Sequence, residues 1–162
     1  MISPSADDSA ARDLAAALQD TDLKIATAES CTGGQLAAHF ARDANLGSHL
    51  ERGFVVYSID AKCELLGIER ALAERCEAVT PEVTAAMAEG ALAHSHARLA
   101  VAVTGFCGPQ EKDEEVGLLY VATAGARGTK IEEHHLGDIG REAVLDGAVT
   151  IALAMLTEAV RG

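Results

Sequence analysis

Residues Leu99-Ala100-Val101-Ala102-Val103-Thr104 form a continuous apolar run of strand length. A strand with no polar face has to be covered on both sides, so this segment is expected at the centre of a buried sheet. The rest of the chain supplies the covering layers. Ala10 to Leu18 reads as a helix, with Leu14 and Leu18 four apart on one face. Leu23–Ala28 reads as a strand, Gln35–Arg42 as a helix, and Gly53–Ser58 as a β-branched and aromatic strand. Helical stretches follow at Ala61–Leu66, closed by Gly67, and at Ala71–Arg75. Thr80-Pro81 marks a helix start that runs to Ala93, because a hydroxyl N-cap precedes a proline at the first helical position. Beyond the central run, Gly105–Glu115 reads as a loop. Val116–Ala124 and Lys130–Leu136 read as an antiparallel hairpin, and Arg141–Val160 as a helix with Val144, Ala148, Ile151, Met155 and Ala159 on one stripe.

The order of the main elements is therefore α-β-α-β-α-α-β-β-β-α. Helices early and late around about five strands imply an α/β fold, a three-layer α/β/α sandwich with a mixed, mostly parallel sheet. Residues 1–8 are polar and expected to be a flexible leader, and no repeat or linker divides 9–162, which predicts one domain. The apolar share is 49%, but with no Trp, three Phe and two Tyr the core must be built from small side chains and close helix-on-sheet packing.

Charge narrows the partners. The net charge is −12, from 13 Lys+Arg against 25 Asp+Glu, and no basic run appears, which argues against nucleic-acid binding. A small anionic ligand stays open, since a local cluster of backbone N–H groups outweighs global charge at short range. No apolar stretch approaches the ~20 residues of a membrane span, and residues 1–13 lack the basic and apolar regions of a signal peptide. The four cysteines are dispersed without a C-x-x-C pair, which predicts a reducing, cytoplasmic setting. His94-x-His96 and His134-His135 lack accompanying ligands, so no metal is expected. Cys31 and Cys107 have no His at a telling spacing and read as small core residues, and Glu111–Glu115 as a solvated loop.

The stretch richest in chemistry is Thr27-Ala28-Glu29-Ser30-Cys31-Thr32-Gly33-Gly34, which joins a strand to a helix. Free N–H groups and the helix dipole at such a junction favour an anion, and glycines allow close approach to the backbone. A simple capped helix start explains the same residues equally well.

This octet is similar to a signature of the CinA C-terminal domain family, the nicotinamide mononucleotide deamidases. The resemblance continues in order through Gly53–Ser58, Ala61-Lys62, Leu65–Ile68, Val79–Val83, Met87–Ala91 and Val101–Pro109, then Val116-Gly117 and Arg141-Glu142. It implies a fold like the anticodon-binding α/β/α sandwiches and hydrolysis of nicotinamide mononucleotide to nicotinate mononucleotide and ammonia, without a cofactor. It also implies a serine nucleophile assisted by a lysine base. Carried over by position, Lys62 is the base, Ser48 or Ser30 the nucleophile and Tyr57 a site neighbour. Glu29, Thr32, Gly33 and Gly34 line the substrate pocket with Ser30. Thr104, Gly105 and Gly108 form the opposite wall, and Arg141 meets the phosphate. The chain departs from the family pattern at Asn45-Leu46-Gly47-Ser48-His49, where the reactive-serine slot falls on Gly47, and at Ile59, Cys107, Gln110–Val116 and Leu145. These departures keep open a second reading, a catalytically weak relative that binds a nucleotide or small anion. A third is a structural domain, with the small-residue helix Ala85–Ala93 packed between subunits. A homo-oligomer is expected.

Overall fold

The computed structural model describes residues 6–162. Five strands form one sheet in the order β2-β1-β3-β4-β5, with β1 at Ile25–Glu29, β2 at Leu50–Val55, β3 at Leu99–Gly105, β4 at Leu118–Gly125 and β5 at Gly128–His135. β1 lies parallel to β2 and to β3, while β4 is antiparallel to both β3 and β5. Four strands thus point one way and β4 alone runs against them. The apolar run is the centre of this sheet, with Leu99 to Thr104 all buried.

Side chains alternate across β3, and the two faces differ in size. Leu99, Val101 and Val103 join Ile25, Leu119 and Val121 beneath one helical layer. That layer comprises α1 (Ala6–Leu18), α2 (Gln35–Arg42), α3 (Ala44–Gly47) and α7 (Arg141–Arg161). Ala100 and Ala102 join Ala26, Ala28, Ala122 and Ala124 on the other face. There the cover is α4 (Ile59–Leu66), α5 (Arg70–Ala73) and α6 (Pro81–Ala93). Period-two alternation places every alanine on one side.

Local chemistry sets the ends. Thr80 Oγ1 accepts the Val83 N–H at 3.1 Å, so α6 starts at the expected cap. Ser58 Oγ accepts the Ala61 N–H at 3.0 Å and starts α4, which Gly67 closes at φ 68°. Because Ser58 is this cap, β2 ends three residues earlier than the expected strand. Its pairing begins where Ile25 N–H donates to the His49 carbonyl and closes where Val56 N–H donates to Glu29. Helix α1 begins at Ala6, so residues 6–8 of the expected leader are helical, and residues 1–5 lie outside the described residues. The small residues of α6 that suggested an intersubunit helix lie against the alanine face: Ala88, Gly90 and Ala91 are buried within the chain. A Cβ on Gly90 would stand 2.4 Å from the Leu66 carbonyl oxygen, which measures how closely α6 meets the end of α4. α7 has the length and composition to cross a membrane. In this fold it is a core helix, with Val144, Ala148, Leu153 and Leu156 buried beneath the sheet.

A candidate serine–lysine site at the strand ends

The chain leaves β1 toward β2 on one side, and β3 pairs on the other side of β1. The C-terminal ends of β1 and β3, in register at Glu29 and Val103, therefore flank the point where the winding reverses. Crevices at such points are the usual ligand sites of open α/β sheets. A cavity of about 330 Å³ opens here, lined in part by Ser30, Tyr57, Lys62, Thr104, Gly105, Gly108 and Arg141. Seven of the residues expected in the site are thus brought together.

Lys62 lies in the first turn of α4, only 2% exposed, and its Nζ donates to Ser30 Oγ at 3.0 Å and to the Val56 carbonyl at 2.8 Å. Burial pushes the Lys62 ammonium below the ordinary lysine value of 10.5, opposed in part by Cys31 and Cys63. The positive end of the α4 dipole acts in the same direction as burial. A neutral amine beside a hydroxyl is the arrangement that activates a serine.

The loop that carries Ser30 is held rigidly from behind. Glu29 is fully buried, and its Oε1 accepts from Thr32 Oγ1 at 2.8 Å and from the Leu36 N–H at 2.7 Å. Its Oε2 accepts from the Ala37 N–H at 3.0 Å. The carboxylate thus caps the N-terminus of α2, where orphan N–H groups and the dipole favour an anion. Glu29 and Thr32 are engaged in this support and do not line the cavity. Gly33 and Gly34 lie beyond them at φ 57° and 105°, making the left-handed turn into α2 rather than a wall of the pocket.

Across the cavity, Thr104 Oγ1 reaches the Ala78 carbonyl at 3.5 Å. Gly105 is forced by packing, since a Cβ there would lie 2.5 Å from the Leu118 carbonyl oxygen. Arg141, the first residue of α7, donates to the Tyr57 hydroxyl at 3.1 Å and to the Gly108 carbonyl. A guanidinium at a helix N-terminus opposes the dipole, so this position is explained by the cavity rather than by the helix.

Ser48 is not brought to this site. It is exposed at the end of α3, before the first residue of β2, and its carbonyl accepts from Lys24 Nζ. Lys62 instead lies beyond the last residue of β2, so the whole six-residue strand, roughly 17 Å from first to last residue, lies between the two. Cys31 and Cys107 pack in the core as small residues and also line the cavity, as does Glu77, which no sequence signal singles out. Glu77 comes from a 3₁₀ turn, Arg75–Ala78, in which Cys76, Glu77 and Ala78 all have positive φ. No periodicity announces such a turn. Glu111 and Glu114 of the acidic loop line the mouth as well.

Among the described residues no group of three or more His, Cys, Asp and Glu side chains is arranged to hold a metal ion. His134 and His135 pair with Glu132, Glu115 and Glu133, and His94 bonds the Gly90 carbonyl. A larger cavity of about 750 Å³ lies at the other end of the sheet, beneath the β4–β5 turn and the end of α7. Of the cations in its wall, Arg98 and Lys130 are paired with Asp22 and Glu158, and Arg127 donates to the Ala159 carbonyl.

A model of the CinA C-terminal domain matches residues 7–160. The chain belongs to the CinA C-terminal domain family. This CinA domain is 37% identical over 142 residues to a nicotinamide-nucleotide amidohydrolase, PncC, of Escherichia coli K12, covering 86% of each chain. It is 39% identical over 140 residues to a CinA-like protein of Mycolicibacterium vanbaalenii, of which it spans 33%. Other CinA-like relatives are likewise matched over only about a third of their length or less. Among solved structures, competence/damage inducible protein CihA from Agrobacterium tumefaciens superposes with a TM-score of 0.91 at 36% identity, covering 100% of this chain and 99% of that one.

Proposed function

We propose that this domain hydrolyses the carboxamide of nicotinamide mononucleotide, giving nicotinate mononucleotide and ammonia, with Ser30 as nucleophile and Lys62 as base. The observation that carries this reading is the 3.0 Å contact between Ser30 Oγ and a buried Lys62 Nζ. The similarity to PncC over most of both chains supports the choice of substrate. Neutral Lys62 takes the Ser30 proton as Oγ attacks the carboxamide carbon. Backbone N–H groups of the two flanking loops are the donors available to the oxyanion. Collapse of the intermediate expels ammonia with the proton held by Lys62 and leaves an ester on Ser30. Water, deprotonated by Lys62, then releases the carboxylate. Arg141, exposed and bonded to Tyr57, is the cation this reading assigns to the phosphate. The Gly47-Ser48 departure lies at the far end of β2 and touches none of these atoms, so it gives no support to the weak-binder reading.

Ammonia release from nicotinamide mononucleotide tests this directly. Ser30→Ala and Lys62→Met should each lower kcat by 10³-fold or more, on the order of 4 kcal/mol, while Ser48→Ala retains activity. Loss in Ser48→Ala with survival of Ser30→Ala would overturn the assignment.

The state of Lys62 has a separate signature in stability. Its folded pKa lies below the unfolded value. Between those two values the unfolded chain holds a proton that the folded chain lacks, so stability rises with pH across that window and levels off above 10.5. Urea unfolding should show this rise in the wild type and its loss in Lys62→Met. Equal slopes in the two proteins would mean that Lys62 is charged in the folded state.

A further inference from the structure

Two thiols stand in the wall of the cavity beside the nucleophile. Cys31 follows Ser30 in the loop after β1, and Cys107 lies in the loop after β3, 4% exposed. They are 76 residues apart in sequence (107 − 31), yet they line the same crevice and belong to the same packed cluster. The proposed hydrolysis uses neither.

We propose that Cys31 and Cys107 form a redox-active dithiol, which a hydroperoxide entering the cavity oxidises to an intramolecular disulfide that switches the site off. Four features favour this pair over the other cysteines. Both side chains line one crevice, and the strands that lead into their loops are neighbours in the sheet. Cys31 is only half-buried, so the oxidant has a route to the pair through the cavity. The neighbouring Cys31 holds the Cys107 thiol below its ordinary range, with Arg141 acting in the same direction against burial. The thiolate is the species that reacts with peroxide.

The chemistry closes. One thiolate sulfur attacks a peroxide oxygen, the O–O bond breaks, and the departing oxide takes a proton to leave as water or an alcohol. The second thiol then attacks the sulfenic sulfur: the S–O bond breaks, the S–S bond forms, and water leaves with the thiol proton. Two electrons pass from the thiols to the peroxide. A disulfide holds its sulfurs about 2.05 Å apart, closer than any non-bonded contact between two thiols. Closure therefore draws Cys31 toward Cys107 and displaces Ser30, the residue bonded to it, from Lys62. Displacements of about 1 Å at a reacting group cost roughly 10²-fold. This consequence for activity rests on the Ser30–Lys62 reading, whereas formation of the disulfide does not.

The test uses the full chain, reduced, freed of reductant and treated with hydrogen peroxide. Thiols are counted after denaturation, and linked peptides are identified by non-reducing mass spectrometry. The expected result is loss of two of the four thiols, a Cys31–Cys107 linked peptide, a fall of 10-fold or more in ammonia release, and recovery of both with dithiothreitol. Ser30→Ala should form the same link, and Cys107→Ala should form none. Survival of both thiols, oxidation of Cys107 to sulfinic acid without a link, or a link through Cys63 or Cys76 would overturn the pair. A Cys31–Cys107 link with undiminished ammonia release would overturn the switch. If the reduced protein releases no ammonia at all, the amidohydrolase reading fails, and the thiol count still decides the pair.

Discussion

The two faces of the sheet are made from the same strands and do different work. On one, Ile25, Leu99, Val101, Val103, Leu119 and Val121 meet α1, α2 and α7 with branched side chains, and Phe40 fills the space between. On the other, six alanines meet α6, against which α4 packs. Large side chains hold a helix away from a sheet and remove much apolar area from water, at roughly 25 cal/mol per Å². Alanines bury little area but let the backbones approach. The first face therefore carries most of the stability. The second lets α6 lie close to the sheet, and α4, packed on α6, presents a lysine from its first turn to a loop at the end of β1. The thin layer is thus the one that carries Lys62 to Ser30.

Three substitutions test that division. Phe40→Ala on the thick face should destabilise the fold most, by about 3–5 kcal/mol, read as a lower urea midpoint, with ammonia release per folded molecule little changed. On the alanine face, Ala102→Leu should cost less stability, about 1–3 kcal/mol from overpacking. It should reduce activity at least as strongly as stability, because α4 and α6 are displaced from the sheet. If it proves silent in both assays, the claim that close approach matters there is wrong. The smallest change should come from Thr27, which lies on the thick face with a buried hydroxyl that has no partner among the described residues. Thr27→Val keeps the shape and removes the unsatisfied group, and should stabilise by about 1 kcal/mol in the same unfolding assay. A loss of stability there would show that the hydroxyl is satisfied in solution.

Much of the fold is legible because its signals are local. The alternation of Leu99, Val101 and Val103 with alanines, the Thr80-Pro81 cap and the four-residue spacing of Leu14 and Leu18 each lie within a few residues of what they specify. Errors fall where a neighbour decides. The β2 boundary moved because pairing with β1 sets its register and Ser58 is needed as a cap.

The site divides in the same way. A loop carrying hydroxyls, a carboxylate and glycines after a strand is visible in the sequence, as is a lysine near a helix start. Which serine meets that lysine is not. Ser48 lies 14 residues before Lys62 and Ser30 lies 32 before it (62 − 48 and 62 − 30), so proximity along the chain favours the wrong one. Parallel pairing places the end of β1 beside the end of β2 and sends the start of β2 to the far edge. Parallel pairing of β1 with β3 likewise brings Cys31 and Cys107 to one crevice. The sequence by itself determined the elements and the faces they bury, because hydrophobic period and capping act within a turn or two. Only the tertiary structure decided the partners of Lys62 and Cys31, because those contacts depend on strand order and direction, which no local signal carries.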